Sequence, residues 1–386
     1  MADRVDVAPA MLVWARGRSG LEVGDLTGKS GLAGLAEWEA GDARPTLKQL
    51  EAFARATHTP IGFLFLPEPP EEQLPIPDYR TRGDRRVGRP SPDLLDTIYG
   101  CEMRQDWFHR YAESQGAAPV ALVGSLDRRT NPDVAAAQLR DRLGFTLADR
   151  VRYPNWSSAL SGLIEHAESA GVLVMVNGVV GGNTHRVLDP QEFRGFTLTD
   201  ELAPVVFING ADTKAAQIFT LAHELAHVAL GESAVSNPDL GGLMDDNDHE
   251  RWCNQVAAEL LVPADSLRAE FSRDEDLTAS LDRLARLHKV STLVVLRRIY
   301  DVGLMTAAEF RVAYPVELRR VMVAAGQKAG GGNFYNTQPV RVSRRLAKAV
   351  IADTLEGRTS YGDAFQLLGS RKLSAFEELG QKLGVA

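Results

Sequence analysis

Apolar positions recur at helical spacing through most of the chain, with one interval where the period shortens to that of strands. Early on, residues 11–18, 22–29, 32–39 and 46–57 each carry a short helical pattern, and Gly41 and Pro45 mark the stop and restart before the last of them. Helical patterns return at 93–114, 132–143 and 157–170. Three β-rich runs follow, at 171–176, 193–198 and 204–208. Asn209-Gly210 ends the third run. Asp212 or Thr213 is placed to cap a helix over 214–230, which Gly231 closes. A further helix over about 248–261 stops before Pro263, and the rest reads as helical apart from Gly330-Gly331-Gly332 and the polar stretch 333–339. This pattern predicts an α+β fold, predominantly helical, in which a small sheet carries packed helices and has helical regions on either side.

Length and composition refine the picture. A chain of 386 residues suits two or three domains. Prolines at 67, 69, 70, 75, 77, 90 and 92, with Arg80, Arg82, Arg85, Arg86 and Arg89 among them, mark a linker or extended arm. The expected division is therefore a helical domain at 1–66, the arm at 67–92, a sheet-containing domain at 93–265, a helical segment at 266–325 and a helical tail at 326–386. A net charge of −8 argues against coating nucleic acid by bulk electrostatics. Only Cys101 and Cys253 are present, so no disulfide framework is expected. No signal-peptide pattern and no apolar run of the ~18–20 residues a membrane span needs are visible. The expected setting is a reducing cytoplasm, away from membranes.

The strongest chemical signal is His223-Glu224-Leu225-Ala226-His227, an HExxH motif inside a predicted helix. One helical turn apart, the two imidazoles face the same way and can share one Zn²⁺, with Glu224 beside it to take a proton from bound water. Leu221, Ala222, Leu225, Ala226 and Val228 surround the motif with apolar residues, which favours buried ligands over ordinary surface histidines. A catalytic zinc needs a third protein ligand and an open position. In zinc peptidases of the gluzincin kind that ligand is a glutamate on the next helix. Here Glu250 stands in that place, 23 residues after His227 (250 − 227), with His249, Asp245, Asp246, Asp248 and Glu259 as rivals. Asn254, one turn beyond Glu250, is placed to orient its carboxylate. Zinc would polarise the scissile carbonyl while Glu224 moves the proton to the leaving amine. The run at 204–208 is expected to be an edge strand able to hold an extended peptide. His185, His249 and Tyr335 stand as alternative oxyanion donors.

Phe219 to His227, taken with the later run from Glu250 through Asn254, Ala257, Ala258, Leu260 and Leu261 to Pro263, resembles the ImmA/IrrE family of metallo-endopeptidases. The resemblance covers roughly 150–320. It implies a zincin-like core, a zinc cofactor, the glutamate ligand at Glu250, and a cytoplasmic regulatory protease whose target is typically a repressor. Some relatives fused to a helix-turn-helix serve instead as antitoxins beside a toxin. The N-terminal helices resemble a lambda-repressor-like (Xre/Cro) domain, with Trp38-Glu39-Ala40-Gly41 and Pro45 to Leu50 after the helix that would enter the major groove. That helix, at 31–37, has no Arg, Lys, Asn or Gln to read base edges. Arg16, Arg18, Lys29, Arg44 and Lys48 are the candidate DNA-contacting residues, and contacts of that kind position without specifying. A second helix-turn-helix shape lies at 284–299, with Arg297 and Arg298. The expected function is a zinc-dependent endopeptidase acting on a repressor-like protein. The alternative is a DNA-binding antitoxin whose peptidase fold mainly binds a toxin, and a second copy of the chain is a further candidate partner.

Overall fold

The computed structural model describes residues 4–79, 81–82, 85–86, 89–236, 248–326, 340–370 and 372–385. The chain forms two compact units, Met1–Pro75 with Gly88–Asp96, and Ile76–Val87 with Thr97–Ala386.

The smaller unit holds four short helices, α1 (Pro9–Arg18), α2 (Val23–Thr27), α3 (Leu35–Ala40) and α4 (Leu47–Ala56). Leu12, Ala15, Leu26, Leu32, Leu35, Trp38, Leu50 and Phe53 form their common core. α4 starts at a capping box in which Thr46 and Gln49 satisfy each other's backbone N–H groups. α3 is shorter than the apolar pattern predicts. Gly31 takes φ +86° and Gly34 is the N-cap, so the chain turns helical only at Leu35. Of the basic candidates, Arg16 makes a two-pronged pair with Glu39 (2.8 and 3.1 Å) and Arg18 meets Glu72 at 2.6 Å. Both charges are thus compensated locally; Lys29, Arg44 and Lys48 are exposed, Arg44 with Asp6 3.5 Å away.

The larger unit continues with α5 (Pro92–Ser114), α6 (Pro132–Leu143), α7 (Leu147–Arg152) and α8 (Trp156–Ser169). Strands β1 (Leu173–Asn177), β2 (Gly195–Leu198) and β3 (Val205–Asn209) follow, then α9 (Lys214–Leu230), β4 (Ala234–Ser236) and α10 (Asp248–Leu261). After these come α11 (Ala264–Glu270), α12 (Leu277–His288), α13 (Thr292–Asp301), α14 (Ala307–Gly326), α15 (Arg344–Leu355), α16 (Tyr361–Leu368) and α17 (Leu373–Leu383). The sheet order is β1-β3-β2-β4, with β1 parallel to β3 and the other two pairings antiparallel. This corrects one expectation from the sequence. The run at 204–208 forms β3, which is not an edge: it is paired on both sides and all five of its residues are buried. An unbroken Val-Val-Phe-Ile run has no polar face to turn to water, which suits a central strand. The edge beside the motif helix is β4, three residues long and too short to leave a periodic signal.

Two local signals set the motif helix. Thr213 Oγ1 accepts the Ala216 N–H at 3.2 Å, and Gly231 ends the helix in the left-handed conformation at φ +74°. α12 and α13 do form a helix-turn-helix shape, closed by Lys289 in the left-handed region and restarted at the Ser291 cap. Beneath it the buried Arg150 donates to the carbonyls of Leu260, Leu261 and His288, the C-terminal ends of α10 and α12, where a cation complements the helix dipoles. The polar stretch at 333–339 falls outside the described residues. No helix among those described is long and apolar enough to cross a membrane.

His288 is fully buried, and desolvation together with the Arg150 charge pushes its pKa down to about 4. Its folded value lies below the unfolded ~6.5, so as pH falls the unfolded chain binds this proton first. Stability from this residue is complete above about pH 6.5 and is lost progressively toward pH 4, by on the order of 3 kcal/mol. Chemical denaturation at several pH values should show that loss, and His288→Leu should flatten it; an equally steep decline in the variant would refute the assignment.

Candidate metal centre

α9 and α10 pack together and bring three side chains to one point. His223 Nε2 and His227 Nε2 stand 3.1 Å apart. Glu250 places Oε2 3.2 Å from the first and Oε1 3.1 Å from the second. All three residues are buried, and their ligating atoms lie within 4.8 Å of one another. Ligands about 2.0–2.1 Å from a tetrahedral zinc stand about 3.3 Å apart, so this triangle is the right size to close on one such ion. Two imidazoles and a carboxylate are also donors suited to zinc, with one position left over. The fit has one departure. Metal-ligating histidines usually donate their other ring N–H to a carbonyl or carboxylate, yet Nδ1 of His223 and of His227 meets no hydrogen-bond partner among the described residues.

Burial raises the Glu250 carboxyl, but the two imidazoles facing it outweigh burial and bring it down to about 2. Glu224 shows the opposite balance. It is fully buried, and desolvation pushes it up to about 8, with His227 and a hydrogen bond from Thr197 opposing. Thr197 Oγ1 donates to Glu224 Oε2 at 2.7 Å from β2. On the same strand Gly195 makes room for that carboxylate: a Cβ there would lie 2.7 Å from Thr220 Cγ2, 2.9 Å from Glu224 Oε1 and 3.0 Å from the Phe207 carbonyl. Neither strand residue carries a sequence signal for this role.

The rival ligands stand elsewhere. Glu259 pairs with Arg298, and Asp248 is exposed beside Arg251. Asp245 and Asp246 lie outside the described residues. His249 turns Nδ1 to Glu232 Oε2 at 2.8 Å rather than into the cluster. Its ring is 5.8 Å from that of Tyr79, which in turn is 6.2 Å from His227. Tyr79 is half-buried; burial, with Glu232 and Glu250 nearby, raises its phenol above the usual value. Of the three candidate oxyanion donors, His249 is therefore close to the cluster, His185 is exposed on another loop, and Tyr335 lies outside the described residues. Asn254 is half-buried one turn beyond Glu250.

Residues 167–300 match the family model of the IrrE N-terminal-like domain, a peptidase family designated M78. The match spans all four sheet strands, the motif helix, α10 and the helix pair α12–α13, so the donor cluster belongs to a peptidase-type domain. Residues 342–382, which hold α15 and α16 and most of α17, match a domain of unknown function, DUF8813. The comparison with curated proteins finds no match.

Gly195→Ala has no room without moving Thr220, Glu224 or the β3 backbone, and forced packing of this kind typically costs about 1–3 kcal/mol. The variant is expected to melt below the wild type in a thermal scan; an unchanged melting temperature would show that the pocket yields freely.

Proposed function

We propose that this protein is a zinc-dependent endopeptidase that cleaves a specific cytoplasmic protein, such as a transcriptional repressor. The observation that carries the reading is the closed triangle of His223, His227 and Glu250, with the Glu224 carboxylate held beside it on the same helix. Zinc bound by these three residues would lower the pKa of its water and polarise the scissile carbonyl. Glu224 is the proton carrier: Thr197 fixes one of its oxygens, and the other is left to take the water proton and deliver it to the leaving amine. A divalent cation on the neighbouring imidazoles favours the ionised form of Glu224 that this role needs. The match to a peptidase-family domain supports hydrolysis of protein over a small molecule. We assign the N-terminal unit to target recognition, of DNA or of a protein partner, with Lys29, Arg44 and Lys48 as its exposed cations.

Metal analysis tests the ligands. Wild type and Glu224→Gln should each hold about one zinc per chain, and Glu250→Ala should lose most of it; full occupancy in Glu250→Ala would remove that residue from the ligand set. Mapping new protein N-termini in cells tests the reaction. Expression of wild type should generate a cleavage product that Glu224→Gln reduces at least ~100-fold, within the range of general-base catalysis. If both proteins yield identical sets of N-termini, the endopeptidase reading fails and the antitoxin alternative takes its place.

A further inference from the structure

β4 leaves α9 almost directly and forms the edge of the sheet next to the metal cluster. On its inner side it pairs with β2, the strand that supplies Gly195 and Thr197. Its outer side is already taken. The Val235 N–H donates to the Pro77 carbonyl at 2.9 Å, and the Tyr79 N–H donates to the Val235 carbonyl at 3.0 Å, a parallel bridge centred on Asp78. An extended peptide adding to this edge would use the same two backbone groups of Val235. The segment that fills them also sets the Tyr79 ring against His227 and His249.

The pairing is built to be brief. Pro75 and Pro77 have no N–H to donate, so the ladder cannot extend from the bridge toward the start of β4. Pro77 and Asp78 are exposed, while Ile76 and Tyr79 are half-buried, the Tyr79 ring lying near those of His227 and His249. A single bridge of two backbone bonds is a short pairing, which an incoming strand that extends further along β4 can outcompete.

We propose that Ile76–Tyr79 is a built-in strap that closes the peptide-docking edge of the metal centre, and that an extended segment of a protein target displaces it from β4 to reach His223, His227 and Glu250. The nature of the displacing segment rests on the endopeptidase reading; the strap itself rests on the β4 pairing. The strap lies outside the family-matched residues 167–300, so it is a property of this chain's arm and not of the matched domain.

The test uses the full chain and a fluorescent synthetic peptide of its own sequence, Pro75 to Arg82. In a variant carrying Ile76→Gly, Asp78→Gly and Tyr79→Gly, which leaves Pro77 in place, the strap loses its side chains and the edge is released, and the peptide should bind at least tenfold tighter than to wild type by anisotropy. Tyr79→Ala alone, which keeps the strap backbone, should give an intermediate gain and guards against a folding defect in the triple variant. Hydrogen exchange at the Val235 amide should quicken in the triple variant and slow again when the peptide is added. Equal binding to wild type and variants, or no binding to any of them, overturns the strap. Because none of these readouts needs zinc or turnover, a protein that binds no zinc yet shows the tenfold gain would sink the endopeptidase reading and leave the strap standing.

Discussion

The candidate metal centre depends on the packing of α9 against α10. Two donors sit one turn apart on the first helix and the third on the second, so the triangle exists only while the two helices keep their spacing. Small side chains leave room for two helices to pack closely: Ala222, Ala226 and Ala229 on α9, and Cys253, Ala257 and Ala258 on α10, belong to one buried core with the sheet. That core surrounds the three donors with apolar side chains. The three donors are therefore arranged by hydrophobic packing, at the expense of burying a carboxylate and two imidazoles that face one another.

The strands contribute in a different way. β2 approaches α9 closely enough for its Gly195 to lie against Glu224 and for its Thr197 hydroxyl to bind the carboxylate. A side chain at 195 would separate sheet from helix, and a non-donor at 197 would leave Glu224 with one fewer partner in an environment that already disfavours its charge. Glu224 is thereby positioned by the sheet, while His223, His227 and Glu250 are positioned by the helices.

Local features were legible in the sequence and long-range ones were not. The bounds of α9 and α10 follow from the caps at Thr213 and Gly231 and the stop at Pro263, all within a turn of the ends they set. His223, Glu224 and His227 announce themselves through spacing on one helix. Glu250 stood among several acidic neighbours, and the family resemblance singled it out. Thr197 and Gly195 touch Glu224 across 27 and 29 residues of chain (224 − 197 and 224 − 195), a relation fixed by strand register, which one sequence does not display. The placement of residues 204–208 at an edge failed because strand order is a tertiary property, even though the doubly apolar run already suited a central strand. The early start given to α3 failed because apolar spacing outvoted two glycines that the backbone uses to turn.

Among the described residues the Nδ1 atoms of His223 and His227 face no acceptor, and this bears on the metal selectivity of the proposed centre. Where a carbonyl or carboxylate grips the far side of an imidazole, ring orientation is locked and a small misfit in ionic radius is penalised. Among the described residues only the packed walls of the pocket orient the rings, so each could tilt by a few degrees to follow a bound ion. Such a centre would discriminate weakly by shape among divalent ions of similar size, and intrinsic affinities for a nitrogen–oxygen donor set would then favour whichever competitor stands highest in the Irving–Williams order. On the proposed reading, occupancy by zinc would then depend on which metals the cell keeps available, and the composition of that supply would become an input to the protein.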